Sequence, residues 1–487
     1  MRIKKLLYLP LFIILFTAAF VSCDSTMLDS QSSESETIHT EAFMGSSSSE
    51  IDAETGNYIL AANRNFLRRG LNEFVASKGG EILFLHEGAG FALISGISEE
   101  EAVELAGRNG VSLVEPEVEI QLESIKADGV QEAQSSGLEI MNDNPGGAFF
   151  FTRQWNMNAI SAPAAWAAGK TGSADITVAI LDTGIDYTYP DLAGLVDLNR
   201  SVSFIPGDDA LVEAFFPGAH PIADLNYHGT HVAATVSSNA IVAAGVTSKT
   251  TLMGIKVCNV SGSCPSGAVL AGMLFAADNG ADIANMSLGG LFLKSANPGF
   301  VSLINNVTNY VRQQGTLIVV AAGNSAVDLN RNLIPVEAGT VRAPSLFASY
   351  CDAPGVFCVS ATGPEATAGV NGPWQNVDAS APYTNFGSAI NAAAPGGFAS
   401  AVSAGCSRFS LQIPVCQTGT FVLGLSGTSM ASPHAAGVAA LIKADNPNLN
   451  PAQLSRAVER SSDKIDGNGR SPFYGQGRVN AASAVGL

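Results

Sequence analysis

Charged side chains are scarce in this 487-residue sequence, at 14% of the total, and basic ones are the scarcer kind. The 25 Lys and Arg are outnumbered by 43 Asp and Glu, which gives a formal net charge of −18. Nucleic acids and anionic membrane surfaces bind clustered Lys and Arg, and no such cluster appears beyond the N-terminus. We therefore expect no nucleic-acid partner and no direct electrostatic binding to a membrane.

Little charge combined with 50 Gly and 46% hydrophobic residues excludes a chain that is disordered throughout. This composition is typical of tightly packed, secreted α/β proteins. A length of 487 residues exceeds the usual size of one hydrophobic core. We therefore expect two folded units and additional segments that do not fold.

The sequence also lacks the Cys-x-x-Cys and His-x-x-x-His spacings that would support a structural zinc site. Setting Cys23 aside, its cysteines fall into three close pairs: Cys258 and Cys264, Cys351 and Cys358, Cys406 and Cys416. Many pairings are formally open, but we expect each close pair to form a disulfide. Because the closed loops are short, each bond should rigidify its own loop more than it stabilises the whole chain.

The N-terminus predicts export. Basic residues precede an apolar run over residues 6–21, so residues 1–22 are interpreted as a signal peptide. A membrane-spanning helix is the alternative, but the run is shorter than the roughly 20 residues that a span needs. Ser22 before Cys23 resembles the lipobox of bacterial lipoproteins. This implies a lipid on Cys23 as the only membrane contact, with the protein anchored to the bacterial cell envelope or surface, or released extracellularly after processing.

Composition divides the following residues into three segments. Residues 23–56 are rich in Ser, Asp and Glu, with few bulky apolar residues, and are interpreted as an acidic tether. Residues 57–122 show the order β-α-β-β-α-β, with a predicted capping box of Ser98 and Glu101, which indicates a small α+β, ferredoxin-like domain. Residues 123–151 are rich in Gly, Ser, Asn and Asp and have little periodicity, so we expect a linker that is disordered or cut.

Residues 152–487 alternate apolar strands with helices. The predicted strands cover 176–181, 252–257, 283–286, 316–321 and 357–361, and predicted helices cover 266–278 and 300–313. Continuous apolar strands separated by helices indicate a mostly parallel sheet covered on both faces. We therefore predict a three-layer α/β/α domain.

Three polar residues lie at positions where such a fold is expected to carry catalytic groups. Ser429 opens an apolar helix that runs without charge to Lys443, so the helix must be buried and its first hydroxyl is a candidate nucleophile. Asp182 ends a predicted strand, and functional groups cluster at the carboxyl ends of parallel strands, although an Asp beside Gly is more often a turn-former. His228 precedes a helix of very small residues, which permits close packing, but a His at a helix start is usually structural.

Together, the surroundings of these three residues resemble those of the subtilisin-like serine proteases, the subtilase family. The matching stretches are Val-Ala-Ile-Leu-Asp-Thr-Gly-Ile-Asp at 178–186, His-Gly-Thr-His-Val at 228–232 and Gly-Thr-Ser-Met-Ala-Ser-Pro-His at 427–434. The resemblance implies that Asp182 orients His228, that His228 is the general base and that Ser429 is the nucleophile. His231 and His434 would then pack helices.

The same resemblance implies an oxyanion site and a peptide-binding cleft. Asn324, which ends Val-Val-Ala-Ala-Gly-Asn at 319–324, would hold the oxyanion together with the backbone N–H of Ser429; a simple turn is the alternative. Substrate would add as a strand between two backbone segments. The residues expected to bind it are Ser261, Gly262, Ser263, Ser287, Leu288, Gly289, Ala322 and Gly323. The small side chains of Ala321 and Ala322 predict a roomy apolar pocket and a broad range of substrates.

Residues 57–122 resemble the inhibitory propeptide of the same family. This implies a zymogen whose own propeptide inhibits the cleft intramolecularly until the chain is cut within 123–151. We expect protein or peptide substrates and a monomer. A catalytically inactive peptide-binding relative and a structural surface lipoprotein are the alternatives.

No cofactor is required for this chemistry, and structural calcium stays open. Asp191 matches a calcium-ligand position of the family, but one carboxylate does not make a site of about six to eight oxygens. The loop at 239–244 is also shorter than the calcium loop that is usual in the family.

Overall fold

The computed structural model describes residues 57–122, 126–133, 139–294, 297–330, 333–336, 339–342, 346–348 and 350–487. The predicted signal peptide, the tether and Cys23 lie outside the described residues. Within the described ranges, no helix has the length and apolar character needed to cross a lipid bilayer.

Residues 57–122, here called the N-terminal module, form a four-stranded antiparallel sheet with two helices. Its elements are β1 (Tyr58–Ala62), α1 (Arg64–Ser77), β2 (Glu81–His86), β3 (Phe91–Ser95), α2 (Glu99–Ala106) and β4 (Val111–Pro116). The strand order β2-β3-β1-β4 fits the predicted ferredoxin-like domain. The capping box is present at the start of α2, where Ser98 Oγ accepts from the Glu101 N–H at 3.3 Å and Glu101 Oε2 accepts from the Ser98 N–H at 2.9 Å.

The rest of the chain supplies the larger part of the fold. Its strands are β5 (Glu119–Gln121), β6 (Lys126–Glu132), β7 (Thr177–Asp182), β8 (Val202–Ser203), β9 (Thr251–Lys256), β10 (Ser263–Pro265), β11 (Ile283–Met286), β12 (Leu291–Leu293), β13 (Leu317–Ala321), β14 (Leu333–Val336), β15 (Gly339–Arg342), β16 (Leu346–Ala348), β17 (Phe357–Gly363), β18 (Ala366–Thr367), β19 (Trp374–Gln375), β20 (Ala379–Ser380), β21 (Ile390–Pro395), β22 (Val402–Gly405) and β23 (Phe421–Ser426). Its helices are α3 (Trp155–Ala159), α4 (Ala162–Ala167), α5 (Pro206–Phe215), α6 (His228–Val236), α7 (Ser266–Asp278), α8 (Pro298–Gln314), α9 (Thr428–Asp445), α10 (Pro451–Ser461) and α11 (Ala481–Ala484).

The central sheet has the order β20-β17-β13-β11-β7-β9-β8, with β21 added beside β17. Its neighbouring strands run parallel, except that β20 is antiparallel to β17. Alternate residues of β7 face opposite sides: Val178 and Ile180 pack in the cluster that contains α6 and α9, whereas Ala179 and Leu181 pack in the cluster that contains α7 and α8. The predicted three-layer α/β/α architecture with a mostly parallel sheet is confirmed.

The two inner strands of the N-terminal module, β1 and β3, are buried on both faces, which explains why both are almost entirely apolar. In β1, Tyr58 and Leu60 pack with the module's own helices, whereas Ile59 and Ala61 pack in the cluster that contains α7 and α8. The module is therefore seated on those two helices by the hydrophobic face of its sheet.

A strand also forms where the sequence predicted a linker without periodicity. β6 pairs antiparallel with β23, from Lys126 opposite Ser426 to Glu132 opposite Phe421, and completes a three-stranded sheet in the order β22-β23-β6. Its sequence, Lys-Ala-Asp-Gly-Val-Gln-Glu, has no alternating apolar pattern. Backbone pairing with the edge of β23 therefore stabilises a strand that the local sequence does not favour.

The three expected disulfides are present. They join Cys258 to Cys264, Cys351 to Cys358 and Cys406 to Cys416. The first of them closes the loop that leads into β10, so it constrains the predicted substrate-binding residues in that loop.

Candidate active site

Asp182 and His228 meet at the carboxyl end of the central sheet. β7 ends at Asp182 and α6 begins at His228. His228 Nδ1 lies 2.7 Å from Asp182 Oδ1, and both side chains are buried. The Thr183 N–H donates to the same carboxylate oxygen at 2.8 Å. A carboxylate held on Nδ1 leaves Nε2 as the basic nitrogen, which is the arrangement that a general base needs.

Glycine allows α6 to approach β7 this closely. A Cβ on Gly229 would lie 2.1 Å from the Gly184 carbonyl oxygen and 3.1 Å from the Cβ of Asp182. Gly184 itself has a φ of +119°, a conformation that side chains disfavour. The two glycines are therefore required by the contact between the helix start and the turn that follows the strand.

A second buried carboxylate, Asp224, ties these two elements together. Its Oδ1 accepts from Thr183 Oγ1 at 2.9 Å, and its Oδ2 accepts from the N–H and the Oγ1 of Thr230 at 2.9 and 2.6 Å. Thr183 follows Asp182, and Thr230 lies in the first turn of α6 with His228. Burial raises the pKa of Asp224 to about 6. Asp224 is not among the site residues predicted from the sequence, because an isolated Asp upstream of the His motif has no distinguishing pattern.

Ser429 lies in the first turn of α9, directly after β23. Pro433, four residues further on, has no N–H to donate to the Ser429 carbonyl, as a helix would otherwise require. Ser287 Oγ donates to that carbonyl at 2.7 Å instead. Ser287 therefore fixes the peptide group that follows the candidate nucleophile.

The hydroxyl of Ser429 points toward the same neighbour. Ser429 Oγ donates to the Ser287 carbonyl oxygen at 2.9 Å. His228 Nε2 is buried and has no hydrogen-bond partner among the described residues. The hydrogen bond between nucleophile and base is thus not formed in this conformation, and rotation about the Cα–Cβ bond of Ser429 is needed to release Oγ from Ser287.

Asn324 lies beside the start of α9. Its Oδ1 accepts from the N–H and the Oγ1 of Thr428 at 2.8 and 2.9 Å. Thr428 Oγ1 also accepts from the Gly323 N–H at 3.0 Å. Because Thr428 engages the oxygen of the Asn324 amide, the amide's NH2 group is the end that can act as a donor to an oxyanion.

Two further histidines are held in the interior by hydrogen bonds. His231 Nε2 donates to the carbonyls of Val402 and Leu423 at 3.0 and 3.1 Å. His434 Nδ1 donates to the Met430 carbonyl at 2.8 Å. Burial lowers the pKa of His231 to about 3 and that of His434 to about 4, so both rings are neutral at neutral pH. Both contacts fit a packing role.

One predicted substrate-binding segment is paired with the end of the N-terminal module. β5 runs antiparallel to β10, with Gln121 opposite Ser263. The Leu122 N–H donates to the Gly262 carbonyl at 2.8 Å, and Gln121 Nε2 donates to the Ser261 carbonyl at 3.0 Å. Residues 119–122 therefore occupy this segment in the way that strand addition predicts for a peptide.

The second predicted segment also lies close to β5. Ile120 is buried in the same hydrophobic cluster as Leu288 and Ala322, and a Cβ on Gly290 would lie 3.6 Å from Ile120 Cγ2. Gly289 connects Leu288 to Gly290. The residues of both segments are thus brought together around the end of the module.

Asn226 links the candidate base to this cleft. Its Oδ1 accepts from the His228 N–H at 3.2 Å, and its Nδ2 donates to the Val260 carbonyl at 2.9 Å. The Val260 N–H in turn donates to Asp208 Oδ1 at 3.1 Å. Asp208 lies 3.5 Å from the ammonium of Lys256, which is fully buried. These polar residues could not be predicted from the sequence either, because their partners are distant in the chain.

The model of the Subtilase family matches residues 173–477. The chain belongs to the subtilase family. It is accordingly a serine-type endopeptidase, whose chemistry needs no cofactor and whose substrates are peptides. The prediction of family and enzyme class from the sequence is confirmed.

Curated relatives of this subtilase include thermitase of Thermoactinomyces vulgaris, which is 32% identical over 341 residues, 70% of this chain and 99% of thermitase. Subtilisin Savinase of Lederbergia lenta is 30% identical over 331 residues, 68% of this chain and 98% of that protein. Among solved structures, fervidolysin of Fervidobacterium pennivorans, a keratinolytic enzyme related to subtilisin, is similar in fold with a TM-score of 0.64 at 21% identity. That match covers 91% of this chain and 62% of fervidolysin.

In this subtilase, backbone donors of the neighbouring loop bind the carboxylate of Asp191, the calcium-ligand candidate. Its Oδ1 accepts from the N–H groups of Ile241 and Val242, both at 2.8 Å, and its Oδ2 accepts from the Ala243 N–H at 2.9 Å. The short loop thus uses its own backbone donors to hold the carboxylate. Burial raises the pKa of Asp191 to about 6. Among the described residues, no group of three or more His, Cys, Asp and Glu is arranged to hold a metal ion.

Proposed function

We propose that this subtilase is an exported endopeptidase that is made as a self-processing zymogen and cuts peptide bonds through Asp182, His228 and Ser429. The observation that carries the proposal is the buried contact of 2.7 Å between His228 Nδ1 and Asp182 Oδ1. That contact leaves the imidazole Nε2 as the proton acceptor at the edge of the sheet where α9 presents Ser429.

The first half of the reaction forms an acyl-enzyme. Ser429 Oγ attacks the carbonyl carbon of the scissile bond while His228 Nε2 takes the hydroxyl proton, and the Asp182 carboxylate stabilises the imidazolium that results. The imidazolium then protonates the leaving amine as the C–N bond breaks. In the second half, water attacks the ester, His228 takes its proton, and Ser429 regains a proton as the peptide acid leaves.

The negative charge of each tetrahedral intermediate needs donors that are already in place. We assign this role to the side-chain amide of Asn324 and to the backbone N–H of Ser429. Two contacts support the assignment: Thr428 orients the Asn324 amide through its oxygen, and Ser287 Oγ holds the backbone carbonyl on the other side of the Ser429 Cα. Both donors are therefore pre-organised rather than recruited during the reaction.

The N-terminal module acts as the inhibitor of the uncut chain. β5 fills the β10 side of the cleft, and Glu117 accepts from the Gly267 N–H at 2.9 Å at the start of α7, where the helix dipole favours a carboxylate. Further out, His86 Nε2 lies 2.9 Å from Asp278 Oδ2. Backbone pairing at the cleft and contacts on α7 together exclude substrate.

The substrate preference of the enzyme follows from Ile120, the residue of β5 that is buried. Ile120 is 3% exposed in an apolar cluster, so a substrate should carry an apolar residue at the corresponding position. Ala322 and Gly323 carry small or no side chains on the remaining wall, which supports a roomy pocket and a broad range of peptide substrates.

Export and anchoring rest on the sequence alone. The apolar run over residues 6–21 serves as the export signal, and Cys23 as the lipid attachment point. Processing downstream of the N-terminal module would separate the protease from that anchor. We expect the processed enzyme to be a monomer.

The deciding experiment compares the wild type with Ser429→Ala after expression in an exporting bacterial host. Wild type should shorten to a form that begins within residues 123–151 and react with a fluorophosphonate probe, whereas Ser429→Ala should stay full length and unlabelled. Mass spectrometry of both N-termini fixes the processing point and shows whether Cys23 carries lipid. If wild type neither shortens nor labels, the protein is instead an inactive peptide-binding relative or a structural lipoprotein.

A further inference from the structure

The loop between β22 and β23 makes contacts that the proposed reaction does not use. Cys406 and Cys416 close this loop with a disulfide, and both are fully buried. Because the closed ring is short, the bond rigidifies the loop locally. Residues 406–416, here called the strap, are followed by β23, the strand that leads directly to Ser429.

The strap binds three successive backbone carbonyls of the buried segment that leads into His228. One of the donors is a backbone N–H, and the other two are serine hydroxyls. The bonds run from Ser407 Oγ to the carbonyl of Asp224 at 2.7 Å, from the Leu411 N–H to that of Leu225 at 2.8 Å, and from Ser410 Oγ to that of Asn226. Because buried backbone groups require such partners, the strap fixes the path of the chain into the base.

The two serine hydroxyls also couple the conformation of the strap to the position of that segment. Ser407 Oγ accepts from the Phe409 N–H at 3.1 Å, and Ser410 Oγ accepts from the Ile413 N–H at 2.9 Å. Both serines are fully buried. Each hydroxyl therefore joins the strap's own backbone to a carbonyl of the segment before the base.

The strap also binds the segment that follows Asp182. The Arg408 N–H donates to Asp186 Oδ2 at 2.7 Å. Asp186 is fully buried, and its own N–H donates to Thr230 Oγ1, in the first turn of α6, at 2.9 Å. The strap therefore contacts the chain both after the acid and before the base.

A small apolar cluster holds the strap against this part of the fold. Phe409 and Leu411 pack with the buried side chains of Val212 and Leu225, and the ring of Phe409 meets that of Phe216 edge-on at a centroid distance of 5.1 Å. The buried members of this cluster belong to neither of the two clusters that flank the central sheet. The strap therefore packs on the segment before the base and not on the main core.

We propose that the strap is a positioning element for the catalytic base, with Ser407 and Ser410 as its positioning residues. They act through the backbone of residues 224–226, which carries His228 into the site. This inference rests on the proposed function, because it needs His228 to take the proton of Ser429. A displacement of about 1 Å that originates away from the chemistry can cost about 10²-fold in rate, so a loosened strap should slow the reaction.

The first test compares Ser407→Ala, Ser410→Ala and the double variant with the wild type. We expect kcat on a short peptide to fall about tenfold in each single variant and about a hundredfold in the double variant. KM should change less than about twofold, because the lost interaction serves the chemical step and not substrate binding. Active enzyme is counted by fluorophosphonate titration, and the rate of self-processing of the full chain, which does not depend on KM, should fall in parallel.

The matched control is Ser462→Ala, which removes a hydroxyl of the same kind far from the strap in sequence. Ser462 is also buried, and its Oγ donates to the Val458 carbonyl at 2.8 Å at the end of α10. Its kcat, KM and rate of self-processing should equal those of the wild type.

The second test does not depend on turnover. In full-length Ser429→Ala, the proton between His228 Nδ1 and Asp182 Oδ1 should give a low-field proton resonance, because these atoms lie 2.7 Å apart and both side chains are buried. Adding Ser407→Ala and Ser410→Ala should shift or broaden this resonance, whereas adding Ser462→Ala should leave it in place. If the double change prevents folding, each single change is measured in its place.

The outcomes separate this inference from the proposed function. If the wild type cleaves and labels while the serine variants keep kcat per titrated site and the low-field resonance of the control, the inference is overturned and the protease stands. A smaller titrated fraction with unchanged kcat per site also overturns it, because the serines then only stabilise the fold. If the wild type neither cleaves nor labels, the proposed function is refuted, and the inference with it.

Discussion

The substitution Ser287→Ala should destabilise the protein and slow catalysis. The cause is Pro433, which lies 146 positions further along the chain. Pro433 cannot donate an N–H to the Ser429 carbonyl. Ser287 Oγ makes that bond instead, at 2.7 Å. Truncation of Ser287 therefore leaves a buried carbonyl in the first turn of α9 without its donor.

The magnitude follows from the contacts that are lost. A buried backbone acceptor without a partner costs about 1–3 kcal/mol. Asn285 Nδ2, which donates to Ser287 Oγ at 3.1 Å, loses its acceptor as well. We expect a loss of about 2–3 kcal/mol in the free energy of unfolding. We also expect a lower kcat, because the peptide group that follows Ser429 is no longer fixed.

A second substitution isolates this mechanism. Pro433→Ala restores an N–H four residues after Ser429, where the helical pattern can donate it to the same carbonyl. In the double variant the loss should therefore be smaller than the sum of the two single effects by about 1 kcal/mol. Pro451→Ala serves as the matched control, since Pro451 lies at the first position of α10, where an N–H has no helical acceptor.

The free energy of unfolding is measured with guanidinium for Ser287→Ala combined with Pro433→Ala and for Ser287→Ala combined with Pro451→Ala. Full-length protein in a Ser429→Ala background is used, because that background prevents self-digestion and keeps the backbone carbonyl. kcat on a short peptide is measured in the active background. The reasoning is refuted if Ser287→Ala combines additively with Pro433→Ala, as it should with Pro451→Ala.

Three further outcomes are expected. Gly229→Ala should block self-processing by pushing α6 away from β7, whereas Gly207→Ala, whose new Cβ has open space around it, should process normally; both are followed by gel electrophoresis. Asn324→Ala should lower kcat by about 10²- to 10³-fold, the loss measured for an oxyanion-hole asparagine in subtilisin, and a loss under tenfold in steady-state assays would remove Asn324 from the oxyanion site. Burial raises the pKa of Asp191 and of Asp224 to about 6, above their values in the unfolded chain, so the stability that they contribute is greatest below about pH 4 and is lost as the pH rises through 6. The stability deficit of Asp191→Asn, measured by denaturant unfolding in the Ser429→Ala background, should accordingly be smaller at pH 7.5 than at pH 4.5, and a larger deficit at pH 7.5 would contradict this sign.

Much of the fold could be predicted from the sequence because its signals are local. The helix predicted over 266–278 is α7 with the same bounds, since an uninterrupted apolar run after a strand has few alternatives. The capping box of Ser98 and Glu101 is present for the same reason. The three disulfides also join residues that are close in sequence.

The residues that support the candidate site could not be predicted in this way, because each acts through partners that are distant in the chain. Asp224 is one acidic residue among many until Thr183 is brought to its carboxylate. Ser287 lies in a predicted substrate-binding segment, but its bond to the Ser429 carbonyl depends on the packing of α9 beside β11. β6 has no strand pattern of its own and forms only because β23 offers an edge.

The pairing of β5 with β10 and of β6 with β23 determines the order in which the site would open after self-cleavage. A cut between the two strands leaves β5 on the N-terminal module and β6 on the rest of the chain, so neither strand holds the other in place. β5 remains attached to a module that packs Leu93 against α7 and caps that helix with Glu117. Among the described contacts, β6 is held by the pairing of one strand edge and by the partly buried Val130. An edge strand opens at a lower free energy than a packed domain. We therefore expect β6 to dissociate from β23 first, and release of the N-terminal module to limit the rate at which activity appears.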